Sequence, residues 1–168
     1  MRAQVLMYKQ DDPAKCTAAK LVKFGLAESV RFIRPNTLIL DPFCKIVLST
    51  HDRMLFQSVC AVDCSWERAI DTLLKGKVLK NGVPRRLPAL LAGNPTNYSK
   101  LSKLTTAEAL AASLFILGCR HMSEKILDKF KWGHTFSELN SEILSDYANA
   151  VNTTEIIEIE KGYFPHLT

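Results

Sequence analysis

The chain predicts an α/β fold built on a mainly parallel sheet. Short apolar runs of strand length alternate with amphipathic helical stretches through the first two thirds, and a helix-rich end follows. The run "LPALLAG" (87–93), apolar on both faces, suits a central strand of such a sheet. Of the 168 residues 47% are hydrophobic, enough for a real core, and no internal repeat breaks the alternation.

"AQVLMY" (3–8) opens as a strand. In "QDDPAKCTAAKLVKFGL" (10–26), Asp11 or Asp12 is placed to cap a helix with Pro13 in its first turn and Gly25 at its end. "NTLILDP" (36–42) and "KIVLST" (45–50) read as buried strands or an irregular strand pair cut by Pro42. "LFQSVCAV" (55–62) is a further strand, and Trp66 to Leu74 is amphipathic before Gly76. From 78 to 104 the pattern is irregular: Asn81-Gly82 and prolines 84, 88 and 95 break it, and "GNPTNYSK" is a polar loop. "TTAEALAASLFILG" (105–118) is a helix with almost no polar face, so a buried one. Thr105 and Glu108 have capping-box spacing, and Gly118 is its stop. Two amphipathic helices follow, starting near Ser123 and Thr135, the second with a capping box to Glu138. The tail from Asn152 alternates weakly and reads as extended.

Charge is unevenly spread. Residues 1–103 hold 17 Lys/Arg against 8 Asp/Glu, and residues 104–168 hold 5 against 9. The two readings are ordinary solubilising charge and a polyanion-facing surface built by the first two thirds. The five cysteines, an odd number at irregular spacing, argue against a secreted disulfide framework, and no paired Cys-x-x-Cys suggests a metal. No apolar stretch reaches the ~20 residues of a membrane span. With no signal-peptide pattern at the start, a cytoplasmic protein without a membrane partner or metal is expected.

Two strand ends invite a ligand, since open α/β sheets bind beyond the carboxyl ends of their strands. The first is "AVDCSW" (61–66). Asp63 there is either a cap, a role Ser65 fills as well, or a carboxylate that meets a cation or takes a proton. Trp66 is either core or a wall for a ligand chain. Cys64 has no histidine near it in sequence and reads as a small buried thiol. The second end is "LLAGNPTNY" (90–98), where Gly93 permits close backbone approach and main-chain groups suit an adenosine as well as a plain turn.

In order along the chain, "KCTAAKL" (15–21), "DCSW" (63–66), "RLPALLAGNPTNYSKLSKLTTAEALAA" (86–112) and "FKWGHTFSELNSEILSDY" (130–147) resemble the small-subunit (16S/18S) rRNA aminocarboxypropyltransferases, and the chain is similar to an archaeal member. The resemblance implies a knotted, SPOUT-like (trefoil-knot) cofactor-binding fold. An N-terminal α/β lobe (1–75) precedes a knotted C-terminal lobe with a helical end (76–168). It implies S-adenosylmethionine as cofactor, and transfer of its 3-amino-3-carboxypropyl group to N3 of an N1-methylpseudouridine-type base. The implied partner is small-subunit rRNA or the pre-ribosomal small subunit, met by a monomer. The same class of fold leaves a knotted RNA methyltransferase as the alternative.

By the same resemblance, Thr17 holds the amino-acid end of the cofactor. Val62 and Leu87 hold adenosine or ribose, chiefly by backbone. Ser102 and Thr106 are further cofactor contacts, and Trp66 walls the transferred chain. Lys15, Lys20 and Arg85 face RNA, and Asp63 is the candidate base. The loop "AGNPTNYSK" departs from the family's usual "AANPVNYG" at Gly93 and Ser99. A sulfonium has three carbons open to attack, so the outcome depends on which one is aimed at the nucleophile. Here the methyl is expected to be buried and the propyl carbon to face an unstacked base.

Overall fold

The computed structural model describes residues 1–8, 12, 14–64, 68 and 81–167. Among the described residues five strands form one sheet in which every pairing is parallel: β1 (Arg2–Met7), β2 (Glu28–Ser29), β3 (Thr37–Leu40), β4 (Ser58–Asp63) and β5 (Val83–Arg85), in the order β2-β1-β4-β3-β5. Strand alternation divides the sheet into two apolar faces. Ala3, Val5, Leu38, Leu40, Val59 and Ala61 join the main core, while Leu6, Ile39 and Cys60 pack with Ile33 on the other side. The register sets Leu40 beside Ala61 and also beside Arg85, so β3, β4 and β5 end close together. The fifth strand comes from beyond residue 75 and joins the sheet of the first four, so the expected lobes share one sheet.

Among the described residues the helices are α1 (Thr17–Lys23), α2 (Asp52–Leu55), α3 (Thr106–Ile116), α4 (Arg120–Leu127), α5 (Gly133–Leu139), α6 (Ser141–Asn149) and α7 (Thr153–Tyr163). The largely buried α3 is the centre of the molecule, packed against β4, α1, α4 and α6. Its capping box forms as expected: Thr105 Oγ1 accepts from the Glu108 N–H, and Glu108 Oε2 accepts from the Thr105 N–H.

Several expectations are corrected. The helix predicted from Pro13 begins at Thr17, because Asp12 caps a separate turn through the Ala14 N–H and Cys16 caps the helix through the Ala19 N–H. "KIVLST" contributes a single bridge, Val47 to Arg86, rather than a strand. The helix expected at Ser123 starts at Arg120. The one expected from Thr135 is two helices meeting at Asn140, and the predicted Thr135–Glu138 box gives way to a start at Gly133. The tail is helical, not extended: Asn152 Oδ1 accepts from the Glu155 N–H and starts α7. The helix expected over 66–74 lies outside the described residues.

The central strand expected at "LPALLAG" does not form either. The segment makes one isolated antiparallel bridge, Leu91 to Leu101. Its backbone is satisfied partly by the backbone of 99–102 and partly by buried side chains from the helical end. Glu160 Oε1 accepts from the Ala89 N–H at 2.6 Å, and the Tyr147 hydroxyl donates to the Ala89 carbonyl at 3.0 Å. Asn140 accepts from the Leu91 N–H and donates to the Leu91 carbonyl, both at 2.8 Å. Buried backbone groups need partners, and here side chains supply what a neighbouring strand otherwise would.

Candidate functional site

Beyond the carboxyl ends of β3, β4 and β5 lies a cavity of about 430 Å³, within the ~300–1,000 Å³ range of small-molecule sites. Four segments wall it. Leu40, Asp41 and Pro42 follow β3; Ala61, Val62 and Cys64 end β4. The stretch from Arg86 to Ala89 follows β5, and residues from Ser102 to Ala109 bring in the start of α3. Glu160 and Leu167 close it from the C-terminal side. Most of the lining is aliphatic, with a few polar groups and backbone edges, as small-molecule sites are.

The structure gathers most of the sequence-derived residues at this place. Val62, Leu87, Ser102 and Thr106 are all on the cavity wall. Thr17 and Asp63 stand behind it. Thr17 Oγ1 accepts from the Ala107 N–H at 3.2 Å, which ties the start of α1 to the start of α3. Asp63 Oδ1 accepts from the Thr106 hydroxyl at 2.9 Å, and Oδ2 accepts from the Cys16 thiol at 3.2 Å. One carboxylate at the end of β4 thus joins two helix starts. Burial, and then the Asp63 carboxylate, raise the Cys16 thiol above its ordinary range, offsetting the Ala19 N–H that lowers it. A thiol so raised stays protonated and serves as the donor.

Ser102 sits in the left-handed region at φ 56°, as does Ser99 at 61°. The Ser102 N–H donates to the Leu90 carbonyl and the Ser99 N–H to the Ala92 carbonyl, so the strain closes a tight loop over 90–102. Trp66 and Ser65 lie outside the described residues. Cys64 does reach the cavity and is half-buried rather than enclosed.

The three expected RNA-facing cations separate. Lys15 is exposed and Lys20 half-buried, on or just before α1. Arg85 is committed elsewhere: its Nε donates to Asp52 at 3.2 Å, its guanidinium reaches the Pro84 carbonyl, and its side chain is only 15% exposed. An arginine in a fixed, largely buried ion pair offers little to an external phosphate.

Several site residues escaped the sequence reading. Glu108 was visible as a cap, but it does more. Fully buried, it accepts from Gly93 N–H, Asn94 N–H, the Asn94 amide, and the Thr105 N–H and hydroxyl. It pins the loop to α3. Gly93 is required by close approach, since a Cβ there falls 2.5 Å from the Phe136 backbone nitrogen. Glu160 forms a two-pronged bond with Arg86, at 2.8 and 2.9 Å, and so fixes the loop after β5 as well as Ala89. Asp41, almost fully buried, was passed over as part of a strand end. The "NTTE" spacing at 152–155, a cap followed by Glu, was the sequence signal for α7 and hence for Glu160.

The comparisons agree with this geometry. Residues 38–164 match the family described as ribosome biogenesis protein, C-terminal. Residues 1–32 match a possible Fer4-like domain in the RNase L inhibitor, though this stretch holds one cysteine, Cys16, where an iron–sulfur cluster takes about four thiolates. The chain is 42% identical over 158 residues to the 16S rRNA aminocarboxypropyltransferase of Methanococcoides burtonii, covering 92% of this chain and 90% of that one. It is 43% identical over 163 residues to that of Sulfurisphaera tokodaii, covering 96% and 94%. The solved structure of the SAM-dependent rRNA:acp-transferase Tsr3 from Vulcanisaeta distributa superposes with a TM-score of 0.86 at 39% identity, covering 94% of this chain and 88% of that one. The parallel α/β fold, the cavity at its strand ends and these likenesses place the chain in the 16S rRNA aminocarboxypropyltransferase family.

Proposed function

We propose that this protein transfers the 3-amino-3-carboxypropyl group of S-adenosylmethionine to N3 of an N1-methylpseudouridine-type base in small-subunit rRNA during ribosome biogenesis. The observation that carries the reading is the cavity itself. It lies at the strand ends where the nucleoside-holding residues Val62 and Leu87 were expected, in a chain of the family named for this transfer. The residues fit the cofactor: aliphatic walls suit the adenosine faces and the methyl, and Ser102 adds a polar edge. When bound, the cofactor supplies an electrophilic carbon attached to a good leaving group.

The chain's own groups then have positioning tasks. The start of α3, where Asp63 holds the Thr106 hydroxyl and Thr17 holds the Ala107 N–H, is assigned by resemblance to the amino-acid end of the cofactor. Asp63 keeps the candidate base role by resemblance, and each of its oxygens, accepting one bond from Thr106 or Cys16, has a lone pair left to take a proton. Lys15 and Lys20 are the RNA-facing cations, and Arg85 shapes the site through Asp52 rather than touching RNA. Trp66 is assigned to the wall beside the transferred chain, by resemblance. The chain acts as a cytoplasmic monomer on the pre-ribosomal small subunit.

We further infer that the chain is threaded as a trefoil knot. The support is the return of α7 onto the segment after β5 through Glu160, Arg86 and Ala89, and the capture of 89–93 by side chains of α3, α6 and α7. Binding of S-adenosylmethionine by the purified protein, followed by carboxypropyl incorporation into precursor small-subunit RNA, tests the function. Methyl incorporation in its place favours the knotted methyltransferase.

A further inference from the structure

A buried carboxylate needs a reason, because taking a charge out of water is costly unless something compensates it. Asp41 is 4% exposed, stands on the cavity wall, and pairs with no cation among the described residues. Its Oδ1 accepts from the Phe43 N–H at 2.9 Å, closing a turn around Pro42. An asparagine closes that turn equally well, so the turn explains the side-chain oxygen and not the charge. Of the other charges near the cavity, Glu108 is off the wall and enclosed by five hydrogen-bond donors. Arg86 is neutralised by Glu160. Asp63 is off the wall, with its oxygens turned to Thr106 and Cys16. Among the described lining residues the charge left over is one negative, that of Asp41.

We propose that Asp41 is the counter-charge for the sulfonium of the bound cofactor and makes the cavity selective for a cationic adenosyl ligand over its neutral thioether counterparts. The inference rests on the cofactor reading above. A cation moved from water into aliphatic surroundings gains most from a fixed anion, since the low local dielectric strengthens the pair. The same anion favours the cofactor over 5′-methylthioadenosine, the neutral thioether left after transfer, which keeps adenosine and methyl but has no charge on sulfur. Product release is thereby helped. The anion also has a kinetic signature. Sulfonium charge is fading in the transition state, so Asp41 stabilises the bound ground state more than the transition state. Its loss raises KM without lowering kcat.

The test is calorimetric titration of the wild-type chain and Asp41→Asn with S-adenosylmethionine and with 5′-methylthioadenosine, alongside thermal melts. The expected result is a cofactor affinity weakened by roughly tenfold with methylthioadenosine affinity changed less than about twofold. Equal weakening of both ligands assigns Asp41 to the turn alone and overturns the proposal, as does no change in either. A second measurement needs no variant: wild type should prefer sinefungin, which carries an ammonium in place of the sulfonium, over neutral S-adenosylhomocysteine. Equal or reversed preference overturns the proposal. Failure of the wild type to bind any of these ligands overturns the cofactor reading beneath it, an outcome distinct from the others.

Discussion

Glu108→Gln is the substitution for which the structure gives the clearest magnitude. The carboxylate accepts from five donors, and it is fully buried. A glutamine keeps one oxygen and replaces the other with an NH2. In one orientation the NH2 faces the Gly93 and Asn94 N–H groups; in the other it faces the Asn94 amide and the Thr105 N–H. The Thr105 hydroxyl can rotate, but backbone N–H groups cannot. Either way about two buried donors lose their acceptor, at ~1–3 kcal/mol each, giving a loss of about 2–6 kcal/mol. A total stability of ~5–15 kcal/mol makes that a large fraction. At ~2–4 °C per kcal/mol for a chain of this size, Tm falls by roughly 4–24 °C. Because Glu108 joins the 93–94 loop to α3, amide exchange should accelerate first across 90–105, and KM for the cofactor should rise. Chemical denaturation and thermal melts read the magnitude. A melting point within 2 °C of wild type would refute the view that one carboxylate anchors this loop.

Tyr147→Phe removes the only hydroxyl bonded to the Ala89 carbonyl among the described residues, and denaturant titration should show a loss of about 1–2 kcal/mol. Gly93→Ala forces the Phe136 backbone away, so a drop in both Tm and cofactor affinity is expected by melts and calorimetry. Burial pushes the Cys60 thiol up to about 12 from an ordinary 9.0. The folded state thus holds its proton where the unfolded chain has lost it, so this contribution is complete below pH 9. It then declines by ~1.4 kcal/mol per pH unit between 9 and 12, a slope that Cys60→Ala should lessen in denaturant titrations at alkaline pH. Lys15→Gln and Lys20→Gln should each reduce the salt slope of rRNA binding by about 0.7–0.9, measured by filter binding across a salt series; an unchanged slope removes that lysine from the interface.

The parallel sheet was legible because strand-length apolar runs and helical stretches alternate in the sequence, and α3 because a capping box precedes an all-apolar run. Val62, Leu87, Ser102 and Thr106 were placed on the cavity because the resemblance covers their motifs, not because periodicity pointed at them. What periodicity misread was "LPALLAG". Two-sided burial looks the same whether a segment's backbone pairs with strands or with side chains from elsewhere. Here Glu160, Asn140 and Tyr147 do the pairing from 49 to 71 residues away, and no local pattern reports such a partner. Arg85 was expected to face RNA, and its partner Asp52, 33 residues distant, leaves no local signal of the ion pair. Asp41 was hidden inside a strand end for the same reason: only the fold shows that three strands stop around it.

The central claim is that the carboxypropyl carbon, and not the methyl, is presented to RNA. S-adenosylmethionine labelled separately in the methyl and the carboxyl carbon, incubated with precursor small-subunit RNA, tests it directly. The account predicts carboxyl label in the RNA, blocked when N3 of the target base is already substituted, and methyl label recovered wholly in 5′-methylthioadenosine. Methyl label in the RNA would contradict it.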